Sequence, residues 1–416
     1  MFKRLWTWLL LVGPGIFCIG YTIGTGSVTT MAKSGSQYGM QLLWVLVLSC
    51  LFSWILMEAY GRFAIVTGGT AINSFKKHLK FGKYLAIATI IGVVIGQWNA
   101  LSGILGLSSH ALYEVGRMFI PSLPEENYWM VLVIAVILII SMYGMMLVGK
   151  YSFFEKVLII FVTIMGICFI ISMFIVLPPP GDILKGFIPS IPKTPGANII
   201  VAAFVGTTMA APTFVVRPLL MKEKGWTKDN VKDQSRDAFI SALFMFIISG
   251  SIMVCATGSM FYEGRTIEKV LDMVYTLEPV AGQFAVALFM VGTISAGLSS
   301  IFPIMMVAPL LISDFRAGKM EPESHLFKCL TGIACLIGLT VPILGANPIA
   351  AQIATQVANV FVLPLVIGGI IYLVNHKKLM GRYRAGMLLN LGMILAFIFA
   401  CFISYKGIIE IKIGFF

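Results

Sequence analysis

Two clusters of glycine, hydroxyl and proline residues interrupt apolar stretches of this chain. The first contains Gly24, Thr25, Gly26 and Ser27, and the second covers residues 207–212. Glycine and proline break helices, and a broken helix leaves backbone N–H and C=O groups without partners. Within hydrocarbon such groups must line a cavity or bind something. Each cluster therefore predicts a binding site in the middle of a membrane-spanning helix.

The composition indicates an integral membrane protein. Of the 416 residues, 58% are hydrophobic and only 12% are charged, whereas soluble domains carry about 25% charged residues. The net charge of +12 does not indicate a nucleic-acid partner, because the basic residues lie in short loops rather than on one amphipathic face. We expect a multi-pass protein of the cell membrane, with the lipid bilayer as its main partner.

The chain divides into eleven apolar blocks, and a crossing helix needs about 20 residues. The predicted spans are 5–33, 40–66, 84–114, 129–148, 154–178, 199–221, 238–262, 279–312, 326–345, 349–375 and 385–405. The two interrupted spans are the first and the sixth. Transporters with inverted repeats carry a discontinuous helix at the same place in each repeat, with the substrate between them. We predict an all-α fold with one repeat in residues 1–178, a second in 179–375, and an added eleventh span in 376–416. Close helix packing is the simpler account for other glycines, such as Gly103 and Gly368.

The distribution of lysine and arginine predicts the orientation. These residues favour the cytoplasmic side in short loops. With the N-terminus inside, cytoplasmic segments carry 21 of them and external segments carry 8. This asymmetry predicts a cytoplasmic N-terminus and an external C-terminus.

Several motifs, in the right order from span 1 to span 10, resemble the NRAMP family of divalent-metal transporters. These motifs are Gly13-Pro14-Gly15, Ile65-Val66-Thr67-Gly68-Gly69, Ala296-Gly297-Leu298-Ser299-Ser300, Thr355-Gln356-Val357 with Leu363-Pro364, and Leu379-Met380-Gly381. The family belongs to the amino acid–polyamine–cation superfamily. The resemblance implies the leucine-transporter fold with a 5+5 inverted repeat and discontinuous helices 1 and 6.

The residues that bind metal in that family do not follow the resemblance. Its first-span Asp-Pro-Gly-Asn motif aligns with residues 24–27, so that Gly24 replaces the Asp and Ser27 the Asn. Its sixth-span Met-Pro-His motif aligns with residues 210–212 in one frame, while a shift by one residue lets Met209 match the Met. Gln356 matches a glutamine of span 10 that resembles an auxiliary ligand.

The predicted site lacks the carboxylate that a dehydrated divalent cation needs. We therefore expect a small organic solute or an anion, received by free N–H groups at a broken helix. The predicted lining residues are Gly24, Thr25, Gly26, Ser27, Gln97, Asn99, Thr207, Thr208, Met209, Ala210 and Gln356. The alternative is a divalent metal ion held by Ser27, Met209, Gln356 and exposed carbonyl groups.

Two charged residues inside predicted spans are candidates for coupling or gating. Arg217 follows Pro212 by five residues and has three open roles: snorkelling to the surface, pairing with a carboxylate, or meeting an anionic substrate. Glu58 has Arg62 four residues later, which favours a helix-surface ion pair over a proton-coupling carboxylate.

The sequence favours a secondary transporter that works by alternating access. A channel would need a continuous polar stripe, and a receptor often adds a soluble domain; neither pattern is visible. The sequence contains neither a Ser-His-Asp set nor a nucleotide fingerprint, so we expect no enzymatic activity and no cofactor. Symport with a co-transported ion fits this class, and the oligomeric state stays open.

Overall fold

A computed structural model of the chain describes residues 14–120, 122–125, 127–148, 151–194 and 196–415. The start of the predicted first span, residues 5–13, lies outside the described residues. Over the described ranges the secondary structure is helical, without a β-strand. This agrees with the membrane prediction, because a helix pairs its own backbone groups and needs no water.

The first half of the chain contains seven α-helices among the described residues. They are α1 (Gly15–Thr22), α2 (Val28–Tyr38), α3 (Leu43–Thr67), α4 (Ala71–His78), α5 (Gly82–Phe119), α6 (Tyr128–Val148) and α7 (Tyr151–Ile175). A π-helical turn, Ile23–Ser27, joins α1 to α2. The short helix α4 lies in the connection between the spans α3 and α5.

The second half contains eleven α-helices among the described residues. They are α8 (Pro180–Lys185), α9 (Ala197–Thr208), α10 (Ala211–Glu223), α11 (Val231–Met260), α12 (Val270–Ala317), α13 (His325–Gly338), α14 (Thr340–Leu344), α15 (Pro348–Val360), α16 (Leu363–Asn375), α17 (Lys377–Met380) and α18 (Met387–Phe415).

The described residues contain 10 helical segments that are long and apolar enough to cross a membrane. They correspond to predicted spans two to eleven, and the interrupted α1–α2 segment corresponds to the first. The α9–α10 and α15–α16 pairs each form one span. The multi-pass prediction is therefore confirmed, whereas the boundaries of the two repeats stay a prediction.

Burial divides the spans into a core and a periphery. Every residue of α1 is buried, and α9 and α10 are buried over almost their whole length. By contrast, α6 and α18 expose apolar side chains such as Ile140 and Ile398. In a bilayer these exposed side chains contact lipid. The two interrupted spans thus lie at the centre of the molecule, away from lipid.

Candidate functional site

The first interruption is a π-helical turn rather than a fully unwound segment. A π-turn widens one turn of helix and alters the usual carbonyl pairing, and such turns are frequent at functional sites. Here the carbonyl of Thr22 accepts hydrogen bonds from the hydroxyls of Ser27 and Thr207, each at 3.2 Å. The two hydroxyl oxygens lie 3.3 Å apart. A hydroxyl from each interrupted span therefore meets at one carbonyl.

The second interruption is a true break of the helix. Met209 has φ −98° and ψ 45°, and Ala210 has an extended backbone with φ −60° and ψ 113°. Pro212 lies in the first turn of the next helix, α10, where its missing N–H has no cost. Ser53 of α3 donates to the carbonyl of Thr208 at 2.8 Å. The predicted interruptions are thus both present, and only the sixth span loses helical geometry.

Glycine residues allow Gln356 of α15 to lie between the two interrupted spans. A Cβ atom on Gly26 would overlap the side chain of Gln356, and a Cβ atom on Gly206 would overlap its carbonyl oxygen. Likewise, a Cβ atom on Gly24 would overlap Ser300 and the carbonyl of Ala296 in α12. These glycines therefore permit backbone contact at the point where the broken spans cross.

A chain of buried amide side chains continues from Gln356 towards α5. The Asn359 Nδ2 group donates to Gln356 Oε1 at 3.0 Å, and Gln97 Nε2 donates to Asn359 Oδ1 at 3.1 Å. In the other direction Gln356 Nε2 lies 3.4 Å from Gln352 Oε1, and Gln352 Nε2 donates to the Ala100 carbonyl at 2.6 Å. All four side chains are almost completely buried. We call Gln97, Gln352, Gln356 and Asn359 the amide chain.

The structure brings most predicted site residues together, with two exceptions. Thr207, Thr208, Met209 and Ala210 are buried at the second break, and Ser27, Gly24 and Gly26 at the first. The side chain of Thr25 lies outside the described part of the structure. Asn99 does not join the others: it lies on the exposed face of α5, where its amide donates to the Ile95 carbonyl at 2.8 Å. Placing it at the site was wrong, because Asn99 is two residues from Gln97 and therefore projects from a different face of the helix.

Two site residues, Gln352 and Asn359, were not predicted. Both share a helix face with Gln356, at i−4 and i+3. Three amides at this spacing in an apolar segment were the available signal. A single amide side chain in a membrane helix is readily interpreted as a ligand, whereas several on one helix face indicate a hydrogen-bonded network.

Arg217 pairs with a carboxylate, which decides among its three open roles. Its Nη2 group donates to Asp237 Oδ2 at 2.7 Å, and both side chains are fully buried. Asp237 also accepts from the N–H of Gly15 at the start of α1, at 3.2 Å. The ion pair therefore fastens α10 to α11 and α1.

Glu58 pairs with Arg62, as the spacing of the two residues predicted, and it is also linked to Arg217 through Gln234. Arg62 Nη2 donates to Glu58 Oε1 at 2.7 Å, in the i,i+4 pair. Gln234 Nε2 donates to the other Glu58 oxygen at 2.7 Å, and Arg217 Nη2 lies 3.3 Å from Gln234 Oε1. Glu58 and Arg217 thus belong to one hydrogen-bonded network, joined by Gln234.

The site contains neutral hydrogen-bonding groups and is closed. Among the described residues, no three His, Cys, Asp or Glu side chains are grouped as metal ligands. A cavity of about 290 Å³ lies elsewhere, next to His110, Glu114, Tyr128 and Asn347 at one end of α5 and α15. Several polar groups at the crossing therefore bond one another in this conformation, whereas the Thr208 hydroxyl and the Gln97 Oε1 atom are buried without a hydrogen-bond partner among the described residues.

Comparison with known proteins places the chain in a transporter family. A family model described as natural resistance-associated macrophage protein-like (Nramp) matches residues 15–410. The divalent metal cation transporter MntH of Vibrio campbellii is 24% identical over 384 residues, which cover 90% of this chain and 86% of the relative. MntH of Bacillus subtilis is 23% identical over 393 residues, covering 90% and 85%.

Solved structures show the same fold. The crystal structure of the Eremococcus coleocola manganese transporter, in complex with an aromatic bis-isothiourea substituted compound, matches with a TM-score of 0.76 at 14% identity. The match covers 98% of this chain and 87% of that one. MhsT in complex with L-phenylalanine matches with a TM-score of 0.65 at 15% identity, covering 96% and 97%. The predicted leucine-transporter fold is confirmed, and the chain is a secondary membrane transporter that belongs to the Nramp family.

Proposed function

We propose that this transporter carries a small organic solute or anion by alternating access, with the substrate bound where the two interrupted spans cross. The observation that carries the proposal is the chemistry of that crossing. Its side chains are hydroxyls and amides, both donors and acceptors, and none carries a charge. Such a set suits a polar organic molecule, which exchanges its own hydrogen bonds for those that the side chains make with one another.

A divalent cation is poorly served by the same groups. Dehydrating the ion in a membrane is tolerated only when anionic or strongly donating ligands replace the water. The buried carboxylate of Asp237 is already neutralised by Arg217. The start of α10 at Ala211 instead offers the positive end of a helix dipole, which favours an anionic group.

A divalent metal ion remains the second candidate, supported by the relatives. The similar proteins are named divalent metal cation transporters, and one similar structure is a manganese transporter. Ser27, Met209, Gln356 and the carbonyls at the breaks would supply the ligands. The fold itself does not decide between the candidates, because MhsT, with the same fold, was solved with L-phenylalanine.

The test is a thermal-shift screen of the detergent-purified protein against Mn²⁺, amino acids and small carboxylates. A ligand present at 100 times its Kd stabilises the folded state by about 2.7 kcal/mol. We expect a rise in Tm with an organic compound and none with Mn²⁺. The rise should be lost in Gln356→Ala, whose side chain contacts Gly26, and kept in Asn99→Ala, an amide on the exposed face of α5.

Two outcomes favour the metal instead. The first is a Tm rise with Mn²⁺ alone. The second is loss of that rise in both Gln356→Ala and Met209→Ala while Asn99→Ala keeps it. An equal loss of any response in all three variants would contradict a site at the crossing.

A further inference from the structure

Two basic segments that are far apart in the sequence meet on the surface of the protein. One runs from the end of α4 into the start of α5, and the other follows α16. The rings of His78 and His376 lie 6.3 Å apart between their centroids, so that the flanking lysines of both segments come together. We call the following residues the basic patch: Lys77, His78, Lys80, Lys83, His376, Lys377, Lys378 and Arg384.

The positive charge of the basic patch has no acidic partner. Residues 59–113 and 324–409 contain neither aspartate nor glutamate. Among the described residues, none of the lysines or the arginine of the patch forms an ion pair. The Nδ1 atom of His376 is buried and has no hydrogen-bond partner in the described structure. A group that accepts hydrogen bonds and carries negative charge would satisfy these residues.

Membrane topology alone does not account for this imbalance. Several basic residues of the other loops assigned to the same side of the membrane have acidic partners within the protein. Lys224 pairs with Glu155 at 2.7 Å, and Lys328 and Lys319 pair with Glu323 and Glu321, each at 3.4 Å. Unlike these three lysines, the lysines and the arginine of the basic patch have no acidic partner among the described residues.

Exposed apolar side chains border the basic patch and place it at the membrane surface. Phe81 and Tyr84, at the start of α5, are 69% and 73% exposed. Met387 and Leu388, at the start of α18, are 87% and 86% exposed. Both helices are long enough to cross the bilayer, so their first turns lie at the boundary between headgroups and acyl chains.

We propose that the basic patch binds the headgroup of an anionic phospholipid. The phosphate would lie near His78 and His376 and accept hydrogen bonds from the surrounding lysines, while the acyl chains pack against Phe81, Tyr84, Met387 and Leu388. Clusters of basic residues next to a spanning helix bind anionic lipids by this combination of charge and position. A soluble anion such as free phosphate would use the charges but not the apolar border.

The experiment measures lipid binding to the full chain by native mass spectrometry in detergent. Phosphatidylglycerol and phosphatidylcholine are added separately, and inorganic phosphate is added in a third arm. We expect selective binding of phosphatidylglycerol to the wild type. The triple variant Lys77→Gln, Lys377→Gln, Lys378→Gln should bind it at least about tenfold more weakly.

The matched control is the triple variant Lys224→Gln, Lys319→Gln, Lys328→Gln. It removes the same charge from the same side of the protein but leaves the basic patch intact, so it should bind like the wild type. Equal weakening in both triple variants would overturn the proposal, as would equal binding of the two lipids. If inorganic phosphate binds to the basic patch and displaces phosphatidylglycerol, the patch is a soluble-anion site instead.

A second measurement uses only the wild type and does not depend on folding of the variants. Salt screens exposed charges, so phosphatidylglycerol binding should fall between 50 and 500 mM NaCl, roughly the range over which the Debye length shrinks from above 10 Å towards 3 Å. Phosphatidylcholine binding should not change. Salt-independent binding of phosphatidylglycerol would contradict the proposal.

Discussion

At the scale of single residues, Arg217 is the largest side chain that the structure buries completely. A buried charge is tolerable only when it is paired and hydrogen-bonded. Asp237 supplies the charge, Gln234 a further acceptor, and the N–H of Gly15 satisfies the other carboxylate oxygen. Three helices, α1, α10 and α11, therefore depend on one ion pair.

The substitution Asp237→Asn should destabilise the protein by about 3–5 kcal/mol, because it leaves the guanidinium of Arg217 buried without its counter-charge. The control is Asp233→Asn, one turn earlier on α11, where the exposed carboxylate accepts only from Asn230 at 3.1 Å. The control should change stability by less than about 0.5 kcal/mol. Unfolding of both variants in the same detergent measures the difference, and equal stabilities would show that the pair contributes little.

A second residue-scale prediction concerns Gly24 at the first interruption. In an ordinary helix, Gly→Ala stabilises by about 1 kcal/mol. At Gly24 the new methyl group would overlap the carbonyl of Ala296 and the hydroxyl of Ser300, and overpacking of this kind costs about 1–3 kcal/mol. Gly116→Ala on α5, where no atom lies within 4 Å of the added Cβ, is the control. We expect Tm shifts of opposite sign, and two upward shifts would refute close packing at Gly24.

At the scale of elements, the short helix α4 is capped by a residue from a distant span. Asp314 of α12 accepts hydrogen bonds from the N–H groups of Ile72 at 3.0 Å and Asn73 at 3.3 Å, and from the hydroxyl of Thr70. The side chain of Asn73 donates back to the Asp314 carbonyl at 3.2 Å. The loop between the second and third spans is therefore fixed to the end of the eighth.

The substitution Asp314→Ala should loosen α4 while leaving the spans folded. Loss of an N-cap costs about 0.5–2 kcal/mol, and here it also frees two buried N–H groups. Hydrogen–deuterium exchange should rise in the peptide that contains Ala71–His78. The control is Ser324→Ala at the N-cap of α13. The Ser324 hydroxyl accepts a hydrogen bond from the Phe327 N–H at 3.2 Å, so its loss should raise exchange only in α13. Unchanged exchange of α4 in Asp314→Ala would count against the cap.

The sequence predicted the positions of both interruptions but not which of them breaks the helix. Glycine, hydroxyl and proline spacing identifies where a helix is weak. Whether it widens or breaks depends on partners elsewhere: the Thr22 carbonyl is satisfied by Thr207, which is 185 residues away. In contrast, Pro212 prevents α10 from continuing into α9 by local geometry alone. The hydrogen bonds of the amide chain were not predicted for the same reason, because α5 and α15 meet only in the folded protein.

At the scale of the whole molecule, hydropathy predicted the eleven spans. Each span must be apolar on its outside and must pair its backbone N–H and C=O groups within its own helix. The identity of a transported molecule is not encoded at that scale. The Nramp family model matches residues 15–410, while the polar side chains at the crossing of the interrupted spans are neutral hydroxyls and amides. Span count and scaffold are therefore predictable from composition and motif order, whereas in our proposal the choice of substrate depends on a few side chains such as Ser27 and Gln356.

The last prediction concerns orientation, which follows from the odd number of spans and the lysine distribution. Eleven crossings put the two termini on opposite sides, and the 21 to 8 excess of basic residues assigns the N-terminus to the cytoplasm. A C-terminal alkaline phosphatase fusion, active only outside, should be active, and a C-terminal green fluorescent protein fusion, fluorescent only inside, should be dark. Fusions placed after Lys378, in the segment between α16 and α18, should give the reverse pattern. The opposite result at both positions would invert the topology, and the basic patch would then face the external leaflet.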